Sequence, residues 1–164
     1  MKKIGLLSDT HGWWDEKYVT HFESCDEIWH AGDIGSVSFI EQLEAIKPLR
    51  LVYGNTDDYV LWKKYPRVEL FSIDHVKVMM THIGGYPGHY DPIIHFELKE
   101  AKPNLFISGH SHMLKIMYDK ELNCLHINPG AAGKSGYHQI RTLVRFVIDK
   151  DDIKDLEIIE LGKR

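Results

Sequence analysis

The sequence predicts an α/β fold: two mixed sheets packed face to face with helices on the outside. Three observations carry this. Up to about residue 53, short apolar runs alternate with stripes of helical spacing, in the order strand, helix, strand, helix, strand, which calls for parallel strands with crossover helices. From residue 68 onward, strand-like runs come in closely spaced pairs separated by turn residues, as hairpins do. And five apolar runs each stop at a residue type that binds metals, three of them with a glycine just before it.

Lys3 to Ser8 is the first strand, ending at Asp9-Thr10-His11-Gly12. Trp13 to Ser24 follows as a helix with Trp14, Tyr18, Val19 and Phe22 on one face. Glu27 to Ala31 is the second strand and leads to Gly32-Asp33. Ser38 and Glu41 have capping-box spacing, and Phe39, Ile40, Leu43 and Ile46 form a helical stripe ending before Pro48. Arg50 to Tyr53 leads to Gly54-Asn55. Tyr59 to Tyr65 is a short helix stopped by Pro66. Val68 to Ile73 and Val76 to Thr81 form a hairpin about Asp74-His75, and the second of these strands leads to His82. Gly84 to Tyr90 is a glycine-rich loop, and Pro92 to Ala101 a helix with proline near its start. Leu105 to Ser108 leads to Gly109-His110-Ser111-His112. Leu114 to Tyr118 pairs with Cys124 to Asn128, and Leu143 to Ile148 with Ile153 to Leu161, so antiparallel strands fill the second half.

In a parallel sheet, strand ends converge on one edge, and ligands bind there. Asp, His, Asn, Asp and His delivered to one edge make a cage suited to zinc, manganese or iron. Nucleophilic serine chemistry is a poor alternative, since Ser8 and Ser108 would each sit inside a strand with no elbow motif around it. No Walker or GxGxxG loop is present.

Asp9-Thr10-His11, Gly32-Asp33, Gly54-Asn55-Thr56-Asp57, His82 and Gly109-His110-Ser111-His112 stand in the order of the calcineurin-like metallophosphoesterase signature. The compact length, and Asn128-Pro129-Gly130 ahead of the last strands, resemble its YfcE-like phosphodiesterase branch. The resemblance implies a four-layer αββα sandwich holding two divalent metal ions, manganese first, with zinc, iron, nickel or magnesium as alternatives. It implies that Asp9, His11, Asp33 and His112 hold one ion and Asp33, Asn55, His82 and His110 the other, with Asp33 bridging. Two such ions can lower the pKa of a shared water and clamp both oxygens of an in-line displacement. Two dications against Asp9, Asp33 and a bridging hydroxide leave a core near +1, which attracts a phosphate. The implied activity is hydrolysis of a small soluble phosphodiester by in-line attack of that hydroxide. A phosphomonoesterase with the same site is the second enzyme reading. A partner-binding scaffold, as the retromer subunit of this fold resembles, is the non-enzymatic one.

Asn55, His82 and His89 are the candidate catalytic residues, and Asn55, Tyr86 and His89 the candidate substrate contacts. His89 lies with Tyr86 and Tyr90 in the glycine-rich loop, where a lid over the substrate would be. His30 and His126, inside strands, are expected to be satisfied core or supporting groups; His138 is in a surface-like context. Relatives often carry histidine directly after the motif asparagine. Here the position is Thr56.

At 164 residues the chain is expected to be a single metallophosphoesterase domain, residues 1–164. A formal charge of −4 with dispersed Lys and Arg argues against a nucleic-acid polymer as partner. Cys25 and Cys124 fit free thiols in a reducing compartment. With no apolar leader or span, a cytoplasmic location and no membrane partner are expected. A homo-oligomer is left open.

Overall fold

The computed structural model describes residues 1–164. The elements are β1 (Lys2–Leu7), α1 (Lys17–Phe22), β2 (Glu27–His30), α2 (Val37–Glu44), β3 (Leu49–Leu51), α3 (Tyr59–Lys64), β4 (Val68–Ile73), β5 (Val76–Thr81), α4 (Pro92–Ala101), β6 (Leu105–Ile107), β7 (Leu114–Asp119), β8 (Cys124–Pro129), β9 (Ile140–Asp149) and β10 (Asp152–Lys163). They form two five-stranded mixed sheets, ordered β10-β9-β1-β2-β3 and β4-β5-β6-β8-β7.

Side-chain alternation explains the layering. Ile4 and Leu6 of β1 point inward with Trp29 of β2, and meet Val78 and Met80 of β5, Leu105 and Ile107 of β6 and Ile127 of β8 between the sheets. Leu7 and Ile28 point outward and pack under Tyr18 and Phe22 of α1, Phe39, Ile40 and Leu43 of α2, and Leu61 of α3. On the far side, Met79, Phe106 and Cys124 pack under Ile94 and Leu98 of α4. The result is the four-layer αββα sandwich. No helix is long and apolar enough to cross a membrane.

Four expectations need correction. The second half is not all antiparallel: β5, β6 and β8 run parallel. Helix α4 crosses over between β5 and β6, and β7 reverses on the far edge, so β8 returns in the direction of β6. The ligand-bearing ends therefore come from two sheets rather than one edge: β1, β2 and β3 in the first, β5 and β6 in the second. Helix α1 begins at Lys17, not Trp13, because Trp13 N–H closes a turn onto the Thr10 carbonyl at 2.8 Å and extends the loop that carries His11. Trp14 still packs edge-on against Tyr18 and Phe39. Helix α2 is capped by Ser36, not Ser38; the Ser36 hydroxyl accepts from Phe39 N–H at 3.1 Å.

Candidate metal centre

Three of the strands that end at the site, β1, β2 and β6, turn sharply there. Asp9 (φ 54°), His11 (φ 45°), Asp33 (φ 55°), His110 (φ 69°) and His112 (φ 60°) all take the left-handed conformation. Non-glycine residues rarely do so, and each costs about 1–3 kcal/mol where the surroundings enforce it. Backbone bonds do the enforcing: Asp9 N–H to the Gly32 carbonyl and His11 N–H to the Asp33 carbonyl, both 3.0 Å, and Gly109 N–H to the His82 carbonyl, 2.9 Å. Two of the glycines that precede ligand-type residues are required by close approach. A Cβ on Gly54 would lie 2.1 Å from Asp33 Oδ1, and one on Gly109 2.2 Å from Ser8 Oγ.

The strand ends bring the seven metal-binding candidates together in two adjoining groups. Asp9, His11 and His112 have ligand atoms within 4.8 Å of one another, and so do Asp33, His82 and His110. Asn55 Oδ1 joins the second group, 3.0 Å from His110 Nδ1. Asp33 Oδ2 lies between the groups, 3.2 Å from His82 Nε2 and 3.7 Å from His11 Nε2. Asp9 Oδ1 is 3.3 Å from His112 Nε2.

One polar atom of each central residue fixes its orientation, and the other faces the cluster. Asp9 Oδ2 accepts from Ser8 Oγ at 2.7 Å and His110 N–H at 3.1 Å. Asp33 Oδ1 accepts from Thr56 N–H at 2.9 Å. His82 Nδ1 is 2.7 Å from the Ala31 carbonyl, and His11 Nδ1 is 3.4 Å from Thr56 Oγ1. Asp9 Oδ1, His11 Nε2 and His82 Nε2 are then buried with no hydrogen-bond partner. Orphaned polar atoms at this depth are costly unless something charged pairs with them. Two carboxylates, four imidazoles and an amide oxygen facing one space fit divalent cations of the zinc, manganese and iron type.

The electrostatics agree. Burial pushes the Asp33 carboxyl up, but the His82 ring 3.2 Å away and the bonds from Thr56 outweigh it and hold the group below the usual carboxylate range. Burial also opposes ionisation of Asp9, and His112, His82 and Ser8 overcome it. His82 moves the other way: burial lowers it, but Asp33, Asp9 and the Ala31 carbonyl raise it above its ordinary value. The site concentrates negative charge where the three orphaned atoms meet.

Supporting residues surround this set. Asp57, mentioned in sequence only as part of a motif block, is 4% exposed. Its Oδ1 accepts from Ile34 and Gly35 N–H and its Oδ2 from Gly54 N–H, tying the Asp33 loop to the Asn55 loop. Asn128 Nδ2 donates to the Gly109 carbonyl and to Ser111 Oγ, both at 3.0 Å, and holds the His110 loop. His30 is fully buried and satisfied, accepting from Gly32 N–H at Nδ1 and therefore donating from Nε2 to Thr10 Oγ1. Burial pushes it down to about 3, so it stays neutral. His138 is half-buried and packs on a candidate ligand: its ring lies 5.2 Å from that of His112, and its Nε2 is 2.8 Å from the Gly133 carbonyl. His126 is buried as expected but not satisfied, with neither ring nitrogen partnered. None of these pairings had a signal in local sequence.

His89 stands apart from the seven, its side chain exposed and its ring 4.8 Å from that of Tyr86. Two cavities flank the cluster. One, of about 190 Å³, lies on the His110 side and includes Tyr86. The other, of about 260 Å³, lies on the side of Asn55 and His82.

A curated protein of Methanothermobacter thermautotrophicus, described as a probable metallophosphoesterase, is 31% identical over 133 residues, spanning 78% of this chain and 76% of that one. A solved archaeal phosphodiesterase superposes with a TM-score of 0.73 at 25% identity, covering 97% of this chain and 99% of the other. Vps29 of Entamoeba histolytica, solved in complex with zinc, has the same fold with a TM-score of 0.76 at 13% identity, over 96% and 98% of the two chains. The family description "calcineurin-like phosphoesterase superfamily domain" matches residues 1–151. That match takes in every residue of the cluster, and the chain belongs to the calcineurin-like phosphoesterase superfamily.

Proposed function

We propose that the chain is a phosphodiesterase with a binuclear centre. Asp9, His11, Asp33 and His112 would hold one divalent ion, and Asp33, Asn55, His82 and His110 the other. The observation that carries this is the convergence of the three orphaned atoms, Asp9 Oδ1, His11 Nε2 and His82 Nε2. When bound, two divalent ions would supply Lewis acidity toward a phosphoryl group and lower the pKa of bound water. Manganese is the ion proposed first.

The chain's own residues set the rest. Neither Ser8 nor Ser108 is free as a nucleophile: Ser8 Oγ donates to Asp9 Oδ2, and Ser108 Oγ to the Gly85 carbonyl. Asn55 turns its Oδ1 toward His110, which leaves its exposed Nδ2 as a donor for a phosphoryl oxygen. The two flanking cavities support a diester, because a phosphoryl group at the cluster could send one arm into each. The segment Ile83 to Asp91 runs between them, with Gly84 to Tyr86 facing one and Ile83 and Asp91 the other. The likeness to an archaeal phosphodiesterase over nearly the full chain supports the same choice. The formal charge of −4 favours a small diester over a polymer.

The test is hydrolysis by metal-stripped protein, with each divalent ion restored in turn, against matched aryl diesters and monoesters. Activity that returns with metal and prefers diesters is expected. Activity indifferent to exhaustive chelation defeats the metal reading. A preference for monoesters defeats the diester, and no hydrolysis of either leaves the scaffold.

A further inference from the structure

The cavity on the His110 side has a chemistry that the hydrolytic cluster does not use. It lies between the Gly84–Tyr90 loop and the outer face of the second sheet. Its floor is set by register. Lys115 of β7 pairs with Asn128 of β8, and the next residues on that face, Met117 and His126, also pair. Lys115, His126 and Asn128 therefore share one face, and all three line the cavity.

The free polar groups there are almost all donors. Lys115 Nζ forms no ion pair; it rests 3.5 Å from the centroid of the Tyr86 ring, so an aromatic face stands where a carboxylate would otherwise be. Ser111 Oγ already accepts from Asn128 Nδ2 and Met113 N–H, so its own proton is available. Asn128 is spent, since its Oδ1 accepts from Gly130 N–H. His126 is 1% exposed with both ring nitrogens unpartnered. Burial, opposed in part by the Phe106 backbone and supported by the Lys115 charge, pushes it down to about 4, so it offers one N–H and one lone pair. No Asp or Glu lines the cavity. A buried imidazole without partners and an ammonium without a counter-ion call for an anionic oxygen group.

We infer that this cavity is the subsite for one arm of the substrate, and that this arm ends in an anionic oxygen group, a phosphate or a carboxylate, held by Lys115, Ser111 and His126. The inference rests on the phosphodiesterase reading for what occupies the cluster, but its test does not require turnover. Lys115 and His126 bind the arm. Tyr86 is a positioning residue, keeping the Lys115 ammonium at the cavity wall.

The experiment is calorimetric titration of the zinc-loaded full chain with α,ω-alkylene diphosphonates from ethylene to hexylene, each against its matched alkyl monophosphonate. A parallel series of ω-carboxyalkyl phosphonates separates phosphate from carboxylate as the preferred end group. At least one two-headed probe is expected to bind about tenfold or more tightly than its monophosphonate, and to shift the ring nitrogen resonances of His126. In Lys115→Met the two affinities should come within about threefold, and His126→Gln gives an independent second variant. Equal affinities throughout both series overturn the inference, as does a preference that survives in both variants. A chain that prefers the two-headed probe yet hydrolyses no diester would keep the subsite and lose the phosphodiesterase.

Discussion

The ring of His82 donates from Nδ1 to the carbonyl oxygen of Ala31 at 2.7 Å, which leaves Nε2 facing Asp33 Oδ2 at 3.2 Å. A carbonyl only accepts, so this bond fixes the tautomer and presents the Nε2 lone pair to the cluster. Proton and cation then compete for one atom. In metal-free protein, burial opposes the charged ring, but Asp33 and Asp9 win and raise His82 above its ordinary value. A raised histidine contributes stability that is fully present below about 6.5 and fades as pH rises through its folded-state value. A bound cation stabilises only once the ring is unprotonated. The difference in melting temperature between metal-loaded and stripped protein should therefore widen as pH rises from about 6 to 9 and shrink toward acid. Melts at several pH values, with and without ion, check this. Parallel curves would argue against binding through His82.

Asp33 touches both halves of the cluster, with Oδ2 near His82 and His11. Loss of a group that merely supports a ligand costs about 10–100-fold in metal affinity or activity. Asp33→Ala, which removes a ligand from both proposed ions, should cost more than that and more than any other ligand change. Metal content per chain and diester hydrolysis measure it. A fully active Asp33→Ala protein would end the binuclear hypothesis.

Asp57 should matter nearly as much without touching the ions. Asp57→Ala removes the acceptor for three backbone N–H groups, of which those of Ile34 and Gly54 belong to buried residues. A buried donor left unpaired costs about 1–3 kcal/mol. We expect about 2–4 kcal/mol lost in denaturant unfolding of stripped protein, and separately a 10–100-fold weaker metal affinity. Wild-type affinity in a folded Asp57→Ala protein would show that the loops hold their ligands unaided.

The ligand types were legible because each follows a short apolar run, and strand ends are where an α/β sheet places its chemistry. Their partners were not. Asp57 with Ile34, His138 with His112 and Asn128 with Gly109 are contacts between separate loops, and periodicity specifies a residue's face but not what faces it. For the same reason the hairpin β4–β5 and helix α4 fell where local pattern put them, while β6 and β8 turned out parallel because of how β7 reverses. Trp13 misled because an aromatic pair beside a helical stripe looks like the helix's first turn; the Thr10 carbonyl had already taken its N–H.

Away from the site, Glu27 is 6% exposed and bound by Lys2, Trp29 and Arg50, the last two at 3.0 and 2.9 Å. Burial pushes its carboxyl up, but these three partners pull it down from 4.5 to about 2. A depressed carboxyl contributes stability that is present above 4.5 and lost as pH falls toward 2. At 1.36 kcal/mol for each pH unit, the contribution is about 3 kcal/mol at neutral pH. Glu27→Gln should lose most of it and show a flatter stability profile between pH 4.5 and 2. An unchanged profile would mean that the three partners do no more than water does.

In the proposed phosphodiesterase, Thr56 would decide what the leaving group must do for itself. Its N–H holds Asp33 Oδ1, and its hydroxyl lies 3.4 Å from His11 Nδ1, so it positions two of the candidate ligands. A threonine hydroxyl has no useful pKa for donating a proton at neutral pH. A positioned acid contributes about 10²–10⁴-fold, and an alkoxide needs that help far more than an aryl oxide. Aryl phosphodiesters should thus be hydrolysed much faster than simple alkyl ones, with a rate that depends steeply on leaving-group pKa. Thr56→His should flatten that dependence by speeding the alkyl substrates. Because it also removes the hydroxyl beside His11, metal content must be measured alongside. His89 would be the other source of a proton: it is exposed, packed on Tyr86, and in the loop between the two cavities. The measurement is rate against leaving-group pKa for wild type, Thr56→His and His89→Ala. A steep wild-type line that flattens in Thr56→His supports the role given to Thr56. A shallow wild-type line that steepens in His89→Ala would make His89 the acid instead. Shallow lines in all three would mean that no residue at either position limits departure of the leaving oxygen, and the argument from Thr56 would be wrong.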